Sequence, residues 1–401
     1  MAFDIVVVGA GPAGLCFARS LAGSGLRIAL VERQGEAALA APADDGREIA
    51  ITYRSRQLLQ SLGLWDRIDG KHIGTLREAL VLDGRDRDGL IFSPALAGAQ
   101  QLGWLLSNHA IRRAAFEEVA TLPDVQLHAG VKVASVRIAA DGAVVALEGG
   151  ETLRAGLVVA ADSRFSETRR AAGIGASMHD FGKTMLVLRM RHEVAHAQTA
   201  WEWFGEGQTL ALLPLHDPQV SSVVLTLSPR HMQALLAQDD AALSADMARR
   251  FLHRLGTMAV AGPRCAYPLV GVYAHRFAAE RVALVGDAAV GMHPVTAHGF
   301  NFGLLGQDAL ARGVRSALQG GRPVWSPQTL RNYERGHRAA TLPLYLATRL
   351  LAGLYTDDRP PARALRKLAL GAGARLPSFR RMVVNGLVAA NDGERRGRRP
   401  G

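Results

Sequence analysis

The stretch "DIVVVGAGPAGLCFARSLAGSGLRIALVER", residues 4–33, limits what this chain can become more than any other part of it. Ile5–Val8 are continuous, apolar and mostly β-branched, which reads as a strand buried on both faces. Pro12–Ala22 reads as a helix with small residues on its packing side, and Arg27–Val31 as a second buried strand. A strand, a helix and a strand within some 30 residues make a βαβ unit, which opens a parallel sheet. Between the first strand and the helix stands Gly9-Ala10-Gly11-Pro12-Ala13-Gly14, a GxGxxG in the context that a dinucleotide fingerprint requires. Gly9 permits the tight turn, Gly11 lets the backbone approach a pyrophosphate, and Gly14 allows close packing of helix on strand. The helix N-terminus at Pro12 and Ala13 offers N–H donors and partial positive charge to the phosphates.

Glu32 closes the second strand with Arg33 beside it, 18 residues beyond Gly14. A carboxylate there accepts hydrogen bonds from an adenosine ribose and repels a 2′-phosphate, which argues against NADP in this site. NAD and FAD both contain ADP and remain open on these residues.

At 401 residues and 48% hydrophobic, the chain has material for two or three domains. Two cysteines, Cys16 and Cys265, cannot build a disulfide framework and fit a reducing cytosol. The opening residues show no basic region or cleavage site of a signal peptide, and no apolar run reaches the roughly 20 residues of a membrane span. A cytoplasmic protein, or one peripheral on the inner membrane, is expected.

The net charge of +11 is concentrated: residues 341–401 carry twelve Lys or Arg against four Asp or Glu. An anionic membrane surface, an acidic partner or nucleic acid could attract such a tail, and a solvated Arg-rich tail explains it equally well.

Along the chain, residues 56–64 read as a helix, 76–92 as short antiparallel strands, and "WLLSNHAIRRAAFEEVATL" as an amphipathic helix. Short strands with "AADGA" and "EGGE" turns follow, ending at Leu157–Ala161. Residues 182–268 read mostly as strands, with a helix at about 240–255. "RVALVGDAAV" returns to a buried strand, a helix starts near Gly299, and beyond Tyr333 the chain reads as short helices. The expectation is an α/β protein: a Rossmann-like domain (1–75, 93–180, 270–340), an inserted antiparallel-sheet substrate domain (76–92, 181–269), a helical C-terminal region (341–392) and a disordered tail (393–401).

Three stretches now resolve the cofactor. "DDGREIAITYRS" (44–55) is similar to D-x-R-x-x-x-L-x-x-x-S, "VVAADSRFSETRR" (158–170) to A-D-G-x-x-S-x-x-R, and "GDAAVGMHP" (286–294) to G-D-A-A-H-x-x-x-P. Together with the opening turn they resemble the single-component flavin-dependent aromatic hydroxylases, of the p-hydroxybenzoate hydroxylase type, and more closely the ubiquinone-biosynthesis hydroxylases. The resemblance runs from about residue 3 to 385, and "HPVTAHGF" is similar to the 5-demethoxyubiquinol hydroxylase branch.

The resemblance implies FAD as cofactor and NADH or NADPH as reductant. It places Arg47 on the flavin pyrophosphate, Asp162 in the second motif, Asp287 beside Gly286 on a ribityl hydroxyl, and Gly299, Phe300 and Asn301 at the isoalloxazine carbonyl edge. Asn108 falls where the family has a polar residue on the flavin, and Pro294 frames the oxygen site. Ser163 stands in place of the usual glycine, and His298 in place of a glutamine; His298 would serve as a proton relay or pack into the sheet domain.

The activity implied is hydroxylation of the ring of a polyprenylated ubiquinone precursor, 5-demethoxyubiquinol or a related phenol. The resemblance implies that O2 would add to reduced flavin as a C4a-hydroperoxide, which survives only where water is excluded. The partners implied are a prenylated quinone or phenol, O2, a membrane surface and ubiquinone-biosynthesis assembly proteins, with no nucleic acid. A hydroxylase of soluble aromatics or polyketides, or a flavin-binding assembly subunit without turnover, are the alternatives. Trp201 and Trp203 share a strand face that would either line the substrate pocket or pack in the core. His293 and His298 are five apart, without a third ligand nearby, and no metal site is expected.

Overall fold

The computed structural model describes residues 2–84, 89–139, 141–205, 207–293, 298–356 and 377–388. The opening βαβ unit is β1 (Ala2–Val8), α1 (Pro12–Ser20) and β2 (Ile28–Glu32), followed by α2 (Glu36–Ala40). Ile5, Val6 and Val7 are fully buried, as a run of β-branched residues between two layers should be. Then come β3 (Glu48–Ile51), α3 (Tyr53–Ser61), β4 (Ile73–Leu76), β5 (Glu78–Asp83), β6 (Leu90–Phe92) and β7 (Gly103–Ser107). α4 (Asn108–Ala120), β8 (Val125–Ala129), β9 (Val133–Ala139), β10 (Gly142–Leu147), β11 (Thr152–Ala160) and α5 (Glu167–Ala171) complete the first half.

The second half holds β12 (Ala176–His192), β13 (Thr199–Gly205), β14 (Gln208–Pro214), β15 (Val220–Leu227), α6 (Pro229–Leu236), α7 (Asp240–Arg250), β16 (Met258–Val260) and β17 (Cys265–Ala274). After it come β18 (Ala278–Ala279), β19 (Val282–Leu284), β20 (Val290–Gly291), α8 (Gly299–Gln319), α9 (Pro327–Thr356) and α10 (Pro377–Val388).

Three sheets organise these elements. The first runs β18-β19-β11-β1-β2-β8, with β10 and β9 joined to β11. Its centre is parallel: Val6 lies opposite Val158 on one side and Ala29 on the other. The second runs β20-β17-β12-β15-β14-β13-β5-β6, with β16 on β12. The third is the small sheet β3-β7-β4. The chain is therefore an α/β protein with a Rossmann-like parallel sheet and a second, separate sheet.

Several expectations need correction. The second sheet is mixed rather than purely antiparallel, because β13 pairs with β5 in parallel. Trp104–Ser107 are strand, not the start of the amphipathic helix; they pair with both β3 and β4, which overrides their helical period. "PLYLATRLLAGL" is not a separate piece but the continuation of α9, which carries Pro343 inside it. A further helix, α6, precedes the one expected at 240–255. The segments 362–373 and 393–401 lie outside the described residues.

Trp201 and Trp203 pack in the core. With Leu210, Leu212 and Leu225 they occupy the sheet face covered by α6 and α7, where Met247 and Phe251 meet them. Trp201 stands 6.1 Å from the Phe251 ring, and Trp203 Nε1 donates to Gly84 O at 2.6 Å. The opposite face, with Met185, Val187 and Leu269, turns toward the first sheet, where Phe181 meets His293 edge-on at 4.7 Å.

Candidate functional site

The turn after β1 is built by close approach. Gly9 has φ +107°, and a Cβ on it would meet Ala161 O at 2.5 Å. A Cβ on Gly14 would meet Gly9 O at 2.0 Å, so the helix can sit this near the strand only as glycine. Gly11 differs: it has φ −72°, and no atom of the described residues lies within 4 Å of its Cβ position. Its backbone therefore faces open space, with Pro12 at the first helical position and no side chain capping α1. Those first N–H groups are donors awaiting a partner.

Glu32 is wired to this turn. Its Oε2 accepts from Ala10 N at 2.8 Å and its Oε1 from Gln34 N at 3.0 Å. Each oxygen keeps a further lone pair for a hydroxyl. Arg33, next in sequence, is exposed.

From the other end of the chain, β19 leads into Gly286–Ala288. Gly286 has φ +60°, and its Cβ position is 2.9 Å from the Ala13 side chain, which brings this turn against the start of α1. Asp287 accepts from Arg164 Nη2 at 3.0 Å, while Arg164 Nη1 donates to Val270 O at 3.0 Å. Arg169 is buried and donates to Ala288 O at 3.0 Å, clamping the turn from beneath. Gly303 on α8 lies against Gly286, and α8 packs along α1. The N-termini of α1 and α8 thus converge.

The start of α8 repeats the uncapped pattern. His298 is its N-cap residue, and the His298 side chain makes no capping hydrogen bond; its ring stands 5.9 Å from Phe302. Among the described residues no atom lies within 4 Å of the Gly299 Cβ position, and Phe300 is half-buried. Asn301 is buried and faces inward: Nδ2 donates to Ala50 O at 2.8 Å, and Oδ1 accepts from Thr52 N at 3.2 Å. It anchors α8 to the end of β3. Pro294 lies outside the described residues.

Arg47 does not stand free. Its guanidinium donates to Asp45 Oδ2 at 2.6 and 2.9 Å and lies 5.5 Å from the Tyr267 ring centroid. Asn108 Nδ2 shares that carboxylate at 2.7 Å. Burial opposes ionisation of Asp45, but the Arg47 and Asn108 bonds outweigh it and hold the carboxyl below the usual range. Asp162 follows β11 beside Gly9; its Oδ2 accepts from Thr168 N at 3.3 Å, and its buried Oδ1 has no hydrogen-bond partner among the described residues.

Tyr267 carries no sequence signal that marks it as part of the site, and Asp45, the aspartate of the first motif, carries none for its tie to Asn108. Arg164 lies inside the second flavin motif, but nothing local says that it reaches across 123 positions to Asp287. Burial alone drives the His293 imidazole down to about 4, so the ring is neutral in the functional pH range.

These features suit a flavin dinucleotide. Two uncapped helix N-termini and two glycines with open Cβ positions border one space, with an orphaned carboxylate oxygen nearby.

Comparison with known proteins agrees. Residues 2–341 match the family model described as an FAD binding domain. The chain is 44% identical over 389 residues to the ubiquinone hydroxylase UbiM of Neisseria meningitidis, covering 96% of this chain and 84% of that one. It is 35% identical to the ubiquinone hydroxylase UbiL of Rhodospirillum rubrum, covering 95% and 88%. The fold is that of the p-nitrophenol 4-monooxygenase PnpA of Pseudomonas putida, with a TM-score of 0.77 at 20% identity over 96% and 97% of the two chains. The chain belongs to the FAD-binding-domain family that includes the ubiquinone hydroxylases, and is an FAD-dependent hydroxylase of that type.

Proposed function

We propose that this chain hydroxylates the aromatic ring of a polyprenylated ubiquinone precursor, 5-demethoxyubiquinol or a related polyprenylphenol, using FAD, NADH or NADPH, and O2. The observation that carries the reading is the convergence of the N-termini of α1 and α8, neither capped by the side chain of its N-cap residue, on the turn Gly286–Ala288.

In this reading the α1 N-terminus and the Gly11 backbone hold the pyrophosphate, and Glu32 accepts from the ribose. Arg47 faces the diphosphate once its Asp45 pairing is shared. Asp287, steadied by Arg164, takes a ribityl hydroxyl, and Asn108 and Asp162 border the flavin. Gly299, Phe300 and Asn301 set the α8 N-terminus against the isoalloxazine edge, where its partial charge favours added negative charge. Bound FAD supplies electron transfer from NAD(P)H and activation of O2. The second sheet excludes water from the ring, which strengthens every electrostatic contact inside. His298, at the helix cap, relays protons.

The C-terminal helices form the membrane-facing side. Leu350 on α9 is 75% exposed, with Leu346, Leu351 and Arg349 on the same helix, and Met382 on α10 is 64% exposed, with Arg380 and Arg381 beside it in sequence. A basic apolar surface collects a lipid-borne substrate from an anionic bilayer. Removing residues 357–401 should reduce flotation with anionic vesicles, and unchanged flotation would count against it.

The deciding experiment is complementation of strains lacking each ubiquinone hydroxylation step, with quinone intermediates read by mass spectrometry. Rescue of none would overturn the substrate assignment.

A further inference from the structure

Glu202 lies at the middle of β13, where neighbouring residues alternate between two environments. Trp201 and Trp203 turn to the α6–α7 side. Glu202 therefore turns to the other face, opposite Ala211 on β14 and Val81 on β5. That face looks toward the first sheet, and α9 crosses β13 and β14 on it, anchored by Tyr345 against Tyr273 at 4.8 Å. The side chains nearest to it on that face are small or apolar, Ala211 and Leu213 on β14 and Val224 on β15; Thr209, Ser222 and Thr226, and Arg189 on β12, stand further along.

A carboxyl in that setting needs a partner, because an isolated buried charge is expensive. Among the described residues Glu202 has none: no hydrogen bond or ion pair engages its side chain, and burial alone acts on it. It is deeply enclosed, yet part of its surface stays open. That combination is the mark of a group lining an internal space. Structural carboxylates elsewhere in this chain look different: Glu48, equally enclosed, is held by Arg189 at 2.8 Å and by Ser107 at 3.1 Å.

We propose that Glu202 receives the ring hydroxyl of the aromatic substrate and takes its proton, a role that rests on the hydroxylase reading above. The phenol O–H bond breaks, its electron pair stays on the ring oxygen as phenolate, and the proton goes to a Glu202 carboxylate oxygen, giving the neutral acid. The phenolate ring is the better nucleophile toward an electrophilic oxygen. The acid returns its proton to solvent as product leaves.

Burial alone raises the Glu202 carboxyl to about 8, which brings it nearer to a phenol than an ordinary carboxylate is. The charged and titratable groups on the adjoining elements are Asp83 on β5, Lys183 on β12, and Tyr345 and Arg349 on α9. Lys183 is tied to Gly207 O at 2.9 Å and Arg349 is exposed. None of them sets the Glu202 shift.

The test uses FAD-loaded full-length protein, a short-chain prenylated methoxyphenol, and the same molecule lacking its hydroxyl. Binding is read from the flavin absorbance and turnover from product formation, between pH 6 and 10. Wild type should show product formation rising with pH, with a midpoint near 8. Glu202→Gln should keep phenol binding within a few-fold, lose turnover at least tenfold, and lose the pH step. Glu202→Leu should weaken phenol binding at least tenfold while binding the deoxy analogue as wild type does. A pH step that persists in Glu202→Gln, or unchanged phenol binding by Glu202→Leu, would overturn the proposal. If wild-type flavin fails to respond to any phenol, the hydroxylase reading itself fails, which is a different result from equal responses in all three proteins.

Discussion

Gly11 and Gly14 stand three residues apart, yet they should fail in different ways when replaced by alanine. At Gly14 the added Cβ would stand 2.0 Å from Gly9 O and 3.2 Å from the Ala161 side chain. The nearest atom is backbone, and Gly9 has no room to yield because its own Cβ position lies 2.5 Å from Ala161 O, so the helix must lift off the strand by about 1 Å or more to restore normal contact. Alanine's helix propensity returns only about 1 kcal/mol, whereas overpacking at such a contact costs roughly 1–3 kcal/mol or more. Gly14→Ala should lose stability without cofactor and retain little FAD.

At Gly11 the φ of −72° suits alanine, and no atom of the described residues lies within 4 Å of the new Cβ. The stability of the FAD-free protein should stay within about 0.5 kcal/mol of wild type, as small entropy and capping effects offset one another. The Cβ does fill the approach to the α1 N–H groups. Losing one charge-assisted bond to a phosphate costs roughly 1.5–3 kcal/mol, which is about a 10- to 150-fold weaker Kd for FAD. The assay pairs denaturant unfolding of FAD-free protein with titration of FAD by quenching of its fluorescence. Normal FAD affinity in Gly11→Ala would refute the placement of a pyrophosphate at this turn.

Asn301→Ala should destabilise the FAD-free protein by about 2–3 kcal/mol in denaturant unfolding, because Ala50 O and Thr52 N lose their buried partner; an unchanged midpoint would mean that water replaces the side chain. Arg169→Met should cost a similar amount by stranding Ala288 O and Arg164 O, again read by denaturant unfolding. Burial lowers His293 and His337 to about 4, so each is neutral when folded and takes a proton when unfolded below about 6.5. Their contribution is present above 6.5 and is lost as pH falls toward 4. Between pH 7 and 5 each should subtract roughly 2 kcal/mol, and His337→Gln should recover about half of that pH-dependent loss in unfolding titrations at the two pH values.

Local chemistry made the parallel core legible. The run Ile5–Val8 and the glycines of the first turn have requirements set by their own backbone and immediate neighbours, and so does Glu32 at the end of β2. The same holds for the existence of a second, strand-rich region and for the start of α8 at Gly299. Where two environments compete, local pattern does not choose between them. Trp201 and Trp203 announce one strand face but not which face meets α6 and α7. Trp104–Ser107 have a helical period but gain two strand partners from residues 48–51 and 73–76, which no window of sequence contains.

The sequence by itself therefore determined the dinucleotide-type turn and the α/β class, because glycine backbone freedom and β-branched burial act within a few residues, while the kinship with flavin hydroxylases rested on the resemblance of three motifs. Only the tertiary structure decided that Arg47 pairs with Asp45, that Arg164 reaches Asp287, and that Glu202 is left alone on the apolar face. Those outcomes depend on which side chains the sheets bring together from distant positions. A charge finds its partner, or fails to, only once the layers have packed.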